Sequence, residues 1–182
     1  EQELAQEGYE GRLLVMHSAG GVMDANAAME RPVRMLESGP AAGALAAGFY
    51  SELLGEPDLI SLDMGGTTAK TCVIEGGKPG QSNSIEVARV HRFKIGSGLP
   101  ILIPVLDLIE IGSGGGSIAS LDNLGLLRVG PLSAGASPGP ACYGLGGTQP
   151  TVTDANLMLG YLNPEYFLGG RMTLDIDAAT SA

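Results

Sequence analysis

Between Asp58 and Glu75 the chain reads DLISLDMGGTTAKTCVIE, and no other stretch limits its fold as much. An apolar run ends at Asp63, Gly65 and Gly66 turn the backbone, Thr67 and Thr68 follow, and a second apolar run leaves. Apolar, β-branched runs on either side of a glycine turn read as neighbouring strands, so the chain must build a sheet with this turn at one end. The same residues gather a carboxylate, two hydroxyls and bare amides, which suits a phosphate group. Gly65 and Gly66 are expected to take positive φ and bring the backbone near an oxygen without a Cβ clash. Thr67 and Thr68 are expected to donate to that oxygen. Asp63 is expected to hold Mg²⁺ through water, because Mg²⁺ retains several waters and takes few protein ligands. This is not a Walker A loop, since no Gly-Lys-Ser/Thr ends it and a strand follows. The string alone leaves two readings open, a phosphate cradle and a tight structural turn.

The 29 glycines have no three-residue period, so collagen and flexible-linker readings fail. They fit many tight strand connections and loops that approach a ligand closely. A second glycine loop, IGSGGGSI from Ile111 to Ile118, resembles a dinucleotide fingerprint only superficially, lacking the final glycine and a following helix. Taken with the first loop, its Gly114, Gly115, Gly116 and Ser117 suggest two glycine loops clamping one nucleotide.

Around these loops the sequence predicts a helix end over Glu1 to Glu7 stopped by Gly8, and a strand over Leu13 to Met16. Asp24 is expected to cap a helix over Ala25 to Glu30 that Pro32 stops. Val33 to Leu36 reads as a strand. A longer helix then starts at Ser38 or Gly39 with Pro40 first inside it, and Gly55 ends it. Ala42, Leu45, Ala46, Phe49 and Leu53 mark its apolar spacing, and its many small residues suggest close packing against a sheet or ligand. Strands are expected over Asp58 to Asp63, Lys70 to Glu75 and Ser84 to Arg92, with Gly76 and Gly77 turning the chain between the second and third. A loop is expected from Ile101, then a strand or helical turn delivering Asp107 to Ile111. A hairpin turns about Asp122 and Asn123, and Leu132 to Gly147 is loop-like. Thr153 is expected to cap a helix over Asp154 to Leu162, and the tail from Asn163 is expected to add little core. Asp107, Glu110 and Asp154 stand as possible metal ligands or bases against the plainer readings of solvated acids and helix caps. His17 and His91 read as structural.

Composition excludes several functions. Twenty acidic against ten basic residues argue against binding nucleic acid, whose affinity rests largely on phosphate neutralisation. Aromatics are only 4% with no Trp, which argues against a base-stacking platform. Cys72 and Cys142 have no metal-ligand or redox spacing and read as buried thiols in a reducing compartment. No Gly-x-Ser-x-Gly elbow supports a serine hydrolase. Leu99 to Leu106 holds two prolines and is too short to span a bilayer, which takes ~20 residues. A soluble, cytoplasmic protein is expected, with no membrane or nucleic-acid partner. The opening EQELAQEGYEG, without methionine, suggests a piece of something longer.

Six segments recur in order: SGPAAG (Ser38 to Gly43), DMGGTT (Asp63 to Thr68), GSGGGSIA (Gly112 to Ala119), VGPLSAGASPGPACYG (Val129 to Gly144), PTVTDANLMLG (Pro150 to Gly160) and FLGGRM (Phe167 to Met172). Together they resemble the hydantoinase A/5-oxoprolinase family, which includes the matching subunits of ketone carboxylases. The resemblance implies an α/β fold of the actin-like ATPase superfamily, a ribonuclease-H-like domain with a mixed sheet and flanking helices. It implies that residues 1–182 are one such domain, with its core over residues 11–162, and that an N-terminal domain with its own Asp-Gly-Gly-Thr loop lies upstream. Asp63 would be catalytic, Asp63 to Thr68, including Gly65, Gly66, Thr67 and Thr68, would form the second phosphate loop, and Gly112 to Ser117, including Gly114, Gly115, Gly116 and Ser117, would lie near the nucleoside. The implied cofactors are ATP and Mg²⁺ or another divalent cation, and the implied partners are a cyclic amide or ketone substrate and a B-type subunit. The implied chemistry is phosphoryl transfer to a carbonyl oxygen, in which the protein chiefly positions groups and stabilises charge.

Two segments depart from the family pattern. Thr68-Ala69-Lys70 stands where many members continue Thr-Ser-Thr-Asp, leaving Lys70 to meet a phosphate or to be a strand-edge charge. Asp107-Leu108-Ile109-Glu110 stands where many have Asp-Ile-His-Thr, so those members' histidine has no counterpart here. A non-catalytic scaffold domain and a small-metabolite kinase on the same fold are the alternative readings.

Overall fold

A computed structural model describes residues 1–88 and 96–182. The chain divides into two compact units, Glu1–Asp63 with Lys70–Ile109, and Met64–Ala69 with Glu110–Ala182.

In the first unit, helix α1 (Gln2–Gln6) ends before Gly8, whose φ is +85°. Strands β1 (Leu14–Met16) and β2 (Val22–Asp24) pair antiparallel, with Leu14 opposite Asp24. Asp24 then caps α2 (Ala25–Glu30) as expected, its Oδ1 accepting from the Ala27 N–H at 2.9 Å. The predicted strand at Val33 to Leu36 is not formed. Pro32 opens a 3₁₀ turn over Pro32–Met35, and the Arg34 carbonyl accepts both the N–H and the hydroxyl of the buried Ser18, each at 2.7 Å. Proline presets the φ of such a turn, and Ser18 takes the carbonyl that a strand partner would need.

Helix α3 (Ser38–Leu54) follows and ends at Gly55 in the left-handed conformation. Its N-cap is Glu37, whose own N–H donates to the Ser18 hydroxyl at 3.1 Å. The buried face differs from the predicted one. Ala41, Ala44, Gly48 and Ser51 are buried, whereas Phe49 and Leu53 are exposed. The reason is proximity: a Cβ on Gly48 would lie 3.0 Å from the Gly77 carbonyl oxygen. Only small residues fit along that line, so the larger ones turn outward. The close-packing reading of this small-residue helix therefore holds.

The sheet beneath α3 is built from β3 (Leu59–Met64), its neighbour β4 (Ala69–Glu75) and β5 (Lys78–Pro79), which pairs antiparallel with β4. Gly76 and Gly77, both with positive φ, make the expected turn between the last two. Ala41, Ala44, Cys72, Ile74 and Leu106 form the core of this unit. Short antiparallel pairs complete it: β6 (Gln81–Ser82) with β9 (Val105–Leu106), and β7 (Ile85–Val87) with β8 (Leu99–Ile101). The remainder of the strand predicted to Arg92, with His91, lies outside the described residues. Strand β10 (Ile109–Ile111) carries the chain onward, in the place expected for a strand after Asp107.

In the second unit, β11 (Ser117–Leu121) and β12 (Leu127–Ser133) form the expected hairpin. Asp122 shapes its turn by accepting from the Leu124 and Leu126 N–H groups and pairing with Arg128 at 2.9 Å. A 3₁₀ turn over Ala141–Tyr143 interrupts the loop-like segment. Helix α4 (Val152–Met158) is capped by Thr151, two residues before the predicted cap. The tail contributes more than expected: α5 (Ile176–Ser181) brings Ala179, with Leu174, against Cys142 and Leu157 in a second core. The Asp175 N–H donates to the Cys142 carbonyl at 2.8 Å and ties the tail down. No helix among the described residues is long and apolar enough to cross a membrane.

Replacing Gly48 by Leu should destabilise the chain by ~1–3 kcal/mol, because the added carbons have no room against the strand connection. Chemical denaturation of the variant measures this, and Phe49→Ala, on the exposed side, should change stability far less.

Candidate functional site

The glycine loop begins where β3 ends. Within the second unit, Gly65, Gly66 and Thr67 are exposed, and the Gly65 N–H donates to the Thr68 carbonyl at 2.9 Å to close a tight turn. Neither glycine has positive φ, contrary to expectation, because this bond closes the turn without a left-handed residue. No internal packing requires glycine at Gly66 either: a Cβ there would meet nothing within 4 Å. Among the described residues the N–H groups of Gly66 and Thr67 and the hydroxyls of Thr67 and Thr68 find no acceptor.

The second glycine loop packs directly on the first. The Gly115 N–H donates to the Gly65 carbonyl at 2.9 Å, and the Gly116 N–H to the Gly66 carbonyl at 2.7 Å. Gly114 donates to the Ser117 hydroxyl at 2.8 Å, and Ser117 returns its N–H to the Gly114 carbonyl at 3.0 Å. A Cβ on Gly114 would stand 2.6 Å from the Thr67 nitrogen, and one on Gly116 would stand 2.8 Å from the Ser133 hydroxyl. Gly114 is therefore demanded by backbone approaching backbone, and Gly116 by the Ser133 hydroxyl together with the Gly66 carbonyl, 3.1 Å from such a Cβ. Their N–H groups are engaged inside the unit, so anything they offer a nucleotide does not come from those amides.

Helix α4 holds the second loop from behind. Both the N–H and the hydroxyl of Thr153 donate to the Gly115 carbonyl at 2.8 Å. The helix start is fixed by a capping box in which Thr151 and Asp154 satisfy each other's backbone donors. Asp154, one of the candidate acids, is only 2% exposed. Its Oδ2 accepts from the Thr151 N–H at 2.9 Å, the Thr151 hydroxyl at 2.7 Å and the Ala141 N–H at 3.3 Å. Its Oδ1 accepts from the Cys142 N–H at 2.8 Å. Burial acts to raise its pKa, but the Cys142 and Thr151 donors outweigh that and hold it below the usual aspartate value. A carboxylate so surrounded is a structural clasp, not an accessory base. A cleft of about 280 Å³ lies beside the loops, lined by Gly66, Thr67, Gly116, Gly135, Tyr143 and Thr153 among others. Burial raises the Tyr143 pKa, so its phenol remains a neutral donor at pH 7.

Of the remaining candidates, Glu110 is an exposed strand residue of the second unit, and Asp63, Lys70 and Asp107 belong to the first. Asp63 is exposed, and no hydrogen bond or ion pair to its carboxylate forms among the described residues. By strand alternation it shares a face with Leu59 and Ser61, and a Cβ on Gly43 of α3 would lie 3.7 Å from its Oδ2. Lys70 is not a strand-edge charge: its Nζ meets Glu37 Oε1 at 3.1 Å, with the two side chains only 12% and 17% exposed. Asp107 is exposed, its N–H donating to the Gly80 carbonyl at 2.8 Å. Asp107 and Asp154 thus fall in different units. Cys72 and Cys142 are free buried thiols, as expected, and burial with the adjacent Asp154 pushes Cys142 up to about 12. Among the described residues no group of three or more His, Cys, Asp or Glu side chains is placed to hold a metal.

The role of Thr153 escaped sequence reasoning because its partner, Gly115, lies 38 residues away. The Thr-x-x-Asp spacing of Thr151 and Asp154 was the available signal, since it marks a capping box. Asp154→Asn should cost roughly 2–3 kcal/mol at neutral pH, the scale of lost hydrogen bonds to a buried charge. Because the folded pKa is depressed, the wild-type advantage is fully present above the unfolded aspartate value of ~3.9 and is lost as pH falls through the lower folded value. Denaturation of both proteins between neutral and acid pH should show the gap narrowing only at the acid end.

A family model described as hydantoinase/oxoprolinase matches residues 1–182. An uncharacterized protein of Methanocaldococcus jannaschii is 47% identical over 182 residues, covering 98% of this chain and 27% of the relative. Subunit alpha of the caprolactamase of Pseudomonas jessenii is 42% identical over 165 residues, covering 91% of this chain and 22% of the relative. The solved structure of that organism's ATP-dependent caprolactamase matches with a TM-score of 0.63 at 37% identity, over 98% of this chain and 25% of the other. The nucleotide-free structure of acetone carboxylase, from work on ATP-dependent acetone carboxylation, matches with a TM-score of 0.74 at 28% identity, over 98% of this chain and 24% of the other. The chain spans about a quarter of the length of these proteins. It is a mixed α/β chain, and it belongs to the hydantoinase/oxoprolinase family.

Proposed function

We propose that these residues are the phosphate-binding domain of an ATP-dependent enzyme that activates a carbonyl oxygen by phosphoryl transfer. The observation that carries this reading is Gly66. Among the described residues nothing requires a glycine there, yet it sits in an exposed loop beside donors that find no partner among them. A phosphate drawn onto that loop supplies the missing reason, because its oxygens approach where a side chain would otherwise stand.

In this reading the N–H groups of Gly66 and Thr67 and the hydroxyls of Thr67 and Thr68 receive phosphate oxygens of ATP. Asp63, next to the loop in sequence, holds a water of Mg²⁺ or another divalent cation. An exposed carboxylate without a protein partner fits an ion that keeps most of its waters. ATP supplies the phosphoryl group, and the chain's own part is to fix the donors before charge develops on the transferring group. The second glycine loop acts through position, holding the carbonyls of Gly65 and Gly66 so that the opposite side of the first loop stays open.

The ATP-dependent relatives act, by name, on caprolactam and acetone, so a cyclic amide or a ketone is the substrate class proposed here. Residues 1–182 would be one domain of the actin-like, ribonuclease-H-like kind in a longer cytoplasmic chain. An upstream domain would supply the rest of the ATP site, and a B-type subunit would assist.

Gly66→Val separates a ligand-bearing loop from a structural turn. In the full-length protein it should leave thermal stability nearly unchanged while weakening Mg-ATP binding roughly tenfold or more, as expected for a Cβ in the place of a phosphate oxygen. Asp63→Ala should slow ATP turnover roughly a hundredfold, the scale of losing a group that stabilises transferring charge. Calorimetry and a steady-state ATPase assay read the two effects. Unaltered nucleotide binding in a folded Gly66→Val protein would refute the assignment.

A further inference from the structure

The cleft beside the glycine loops is lined in part by a stretch that the sequence reads only as loop. Gly135, Ala136 and Tyr143 line it together with Gly66 and Thr67, all within the second unit. No charged side chain of the described residues lines this cleft, and its side-chain hydroxyls belong to Thr67, Tyr143 and Thr153. Thr153 already donates to the Gly115 carbonyl. The Tyr143 phenol and the Ala136 N–H find no partner among the described residues, like the Thr67 hydroxyl and the N–H groups of Gly66 and Thr67.

Tyr143 is held firmly in this place. Its ring packs on the second core and against Phe167, with ring centroids 5.6 Å apart. Gly139 makes room for it, since a Cβ there would stand 2.8 Å from the ring's Cδ2. The 3₁₀ turn that carries it, Ala141–Tyr143, is pinned to Asp154 through the Ala141 and Cys142 N–H groups. That carboxylate also fixes the start of α4, whose Thr153 holds Gly115, which in turn holds Gly65. One buried group therefore sets the phenol and the first glycine loop in a single frame.

We propose that Tyr143 is a further nucleotide-binding residue, its phenol donating to a phosphate oxygen of the ATP held on the first glycine loop. The inference rests on the phosphate reading of that loop and adds a contact that no sequence motif marks. Packing alone would be served as well by phenylalanine, and a tyrosine set against a core normally finds a partner for its hydroxyl. Burial raises its pKa, so it stays a neutral donor at a site that no cationic side chain lines.

Tyr143→Phe removes the hydroxyl and keeps the ring. In the full-length protein it should leave thermal stability nearly unchanged and weaken binding of a non-hydrolysable Mg-ATP analogue roughly tenfold or more, the scale of a lost hydrogen bond to a charged group. Mg-tripolyphosphate, measured by competition, should weaken by the same factor. Wild-type affinity in Tyr143→Phe while Gly66→Val is impaired would overturn this inference and leave the phosphate loop standing; wild-type affinity in both variants would remove both. A loss confined to the analogue, with tripolyphosphate unaffected, would place the phenol on the nucleoside and also overturn it. Incorporating 3-fluorotyrosine at position 143 repeats the test with the hydroxyl kept. Its fluorine resonance should shift when Mg-tripolyphosphate is added, and a resonance unmoved at saturation would contradict the proposal.

Discussion

Two hydrogen bonds between glycine loops set the character of the second unit. By donating to the carbonyls of Gly65 and Gly66, the N–H groups of Gly115 and Gly116 fix the first loop from one side only. Among the described residues the loop's own donors at Gly66 and Thr67 have no partner. A buried series of contacts leads to that arrangement: Asp154 fixes the start of α4, Thr153 on α4 fixes Gly115, and Gly115 fixes Gly65. Preorganised donors lose little freedom when an anion arrives, so the net charge of −10 does not by itself oppose the phosphate site proposed above.

The first unit depends on closeness of another kind. Its helix lies so near the sheet that Gly48 almost touches the Gly77 carbonyl, and the core is made of alanines, a cysteine and a few aliphatic side chains. At the helix start, Glu37 joins Ser18 through its backbone and Lys70 through its side chain. That ion pair places an anion at the positive end of α3, where it is favoured. It also explains why a lysine is tolerated in a half-buried strand position, which the sequence comparison with family patterns left open.

Local chemistry was readable from the residues. Asp24 before Ala25–Glu30, Gly55 after α3, the Gly76-Gly77 turn and the Asp122 hairpin each carry their signal within a few positions. The sequence suggested that the two glycine loops act together on a nucleotide, but not that the second would spend its Gly115 and Gly116 amides on the carbonyls of the first. What failed depended on distance in sequence. Helical spacing on α3 could not show that Gly77 would crowd out Phe49 and Leu53, nor that Ser18 would claim the Arg34 carbonyl and prevent a strand. The cap reading of Asp154 holds through Thr151, but its burial was not legible because its Ala141 and Cys142 donors lie more than ten residues away. The tail looked unimportant because Leu174 and Ala179 gain meaning only beside Cys142.

The central claim is that the first glycine loop offers amides to a ligand while the second offers only support. Amide NMR of isotope-labelled full-length protein, titrated with a non-hydrolysable Mg-ATP analogue, examines both halves of that claim together. Large shifts are expected at the Gly66 and Thr67 N–H groups, with smaller ones at Gly115 and Gly116, whose hydrogen bonds to the first loop persist. Saturating nucleotide that leaves Gly66 and Thr67 unmoved while perturbing Gly115 and Gly116 would contradict the account.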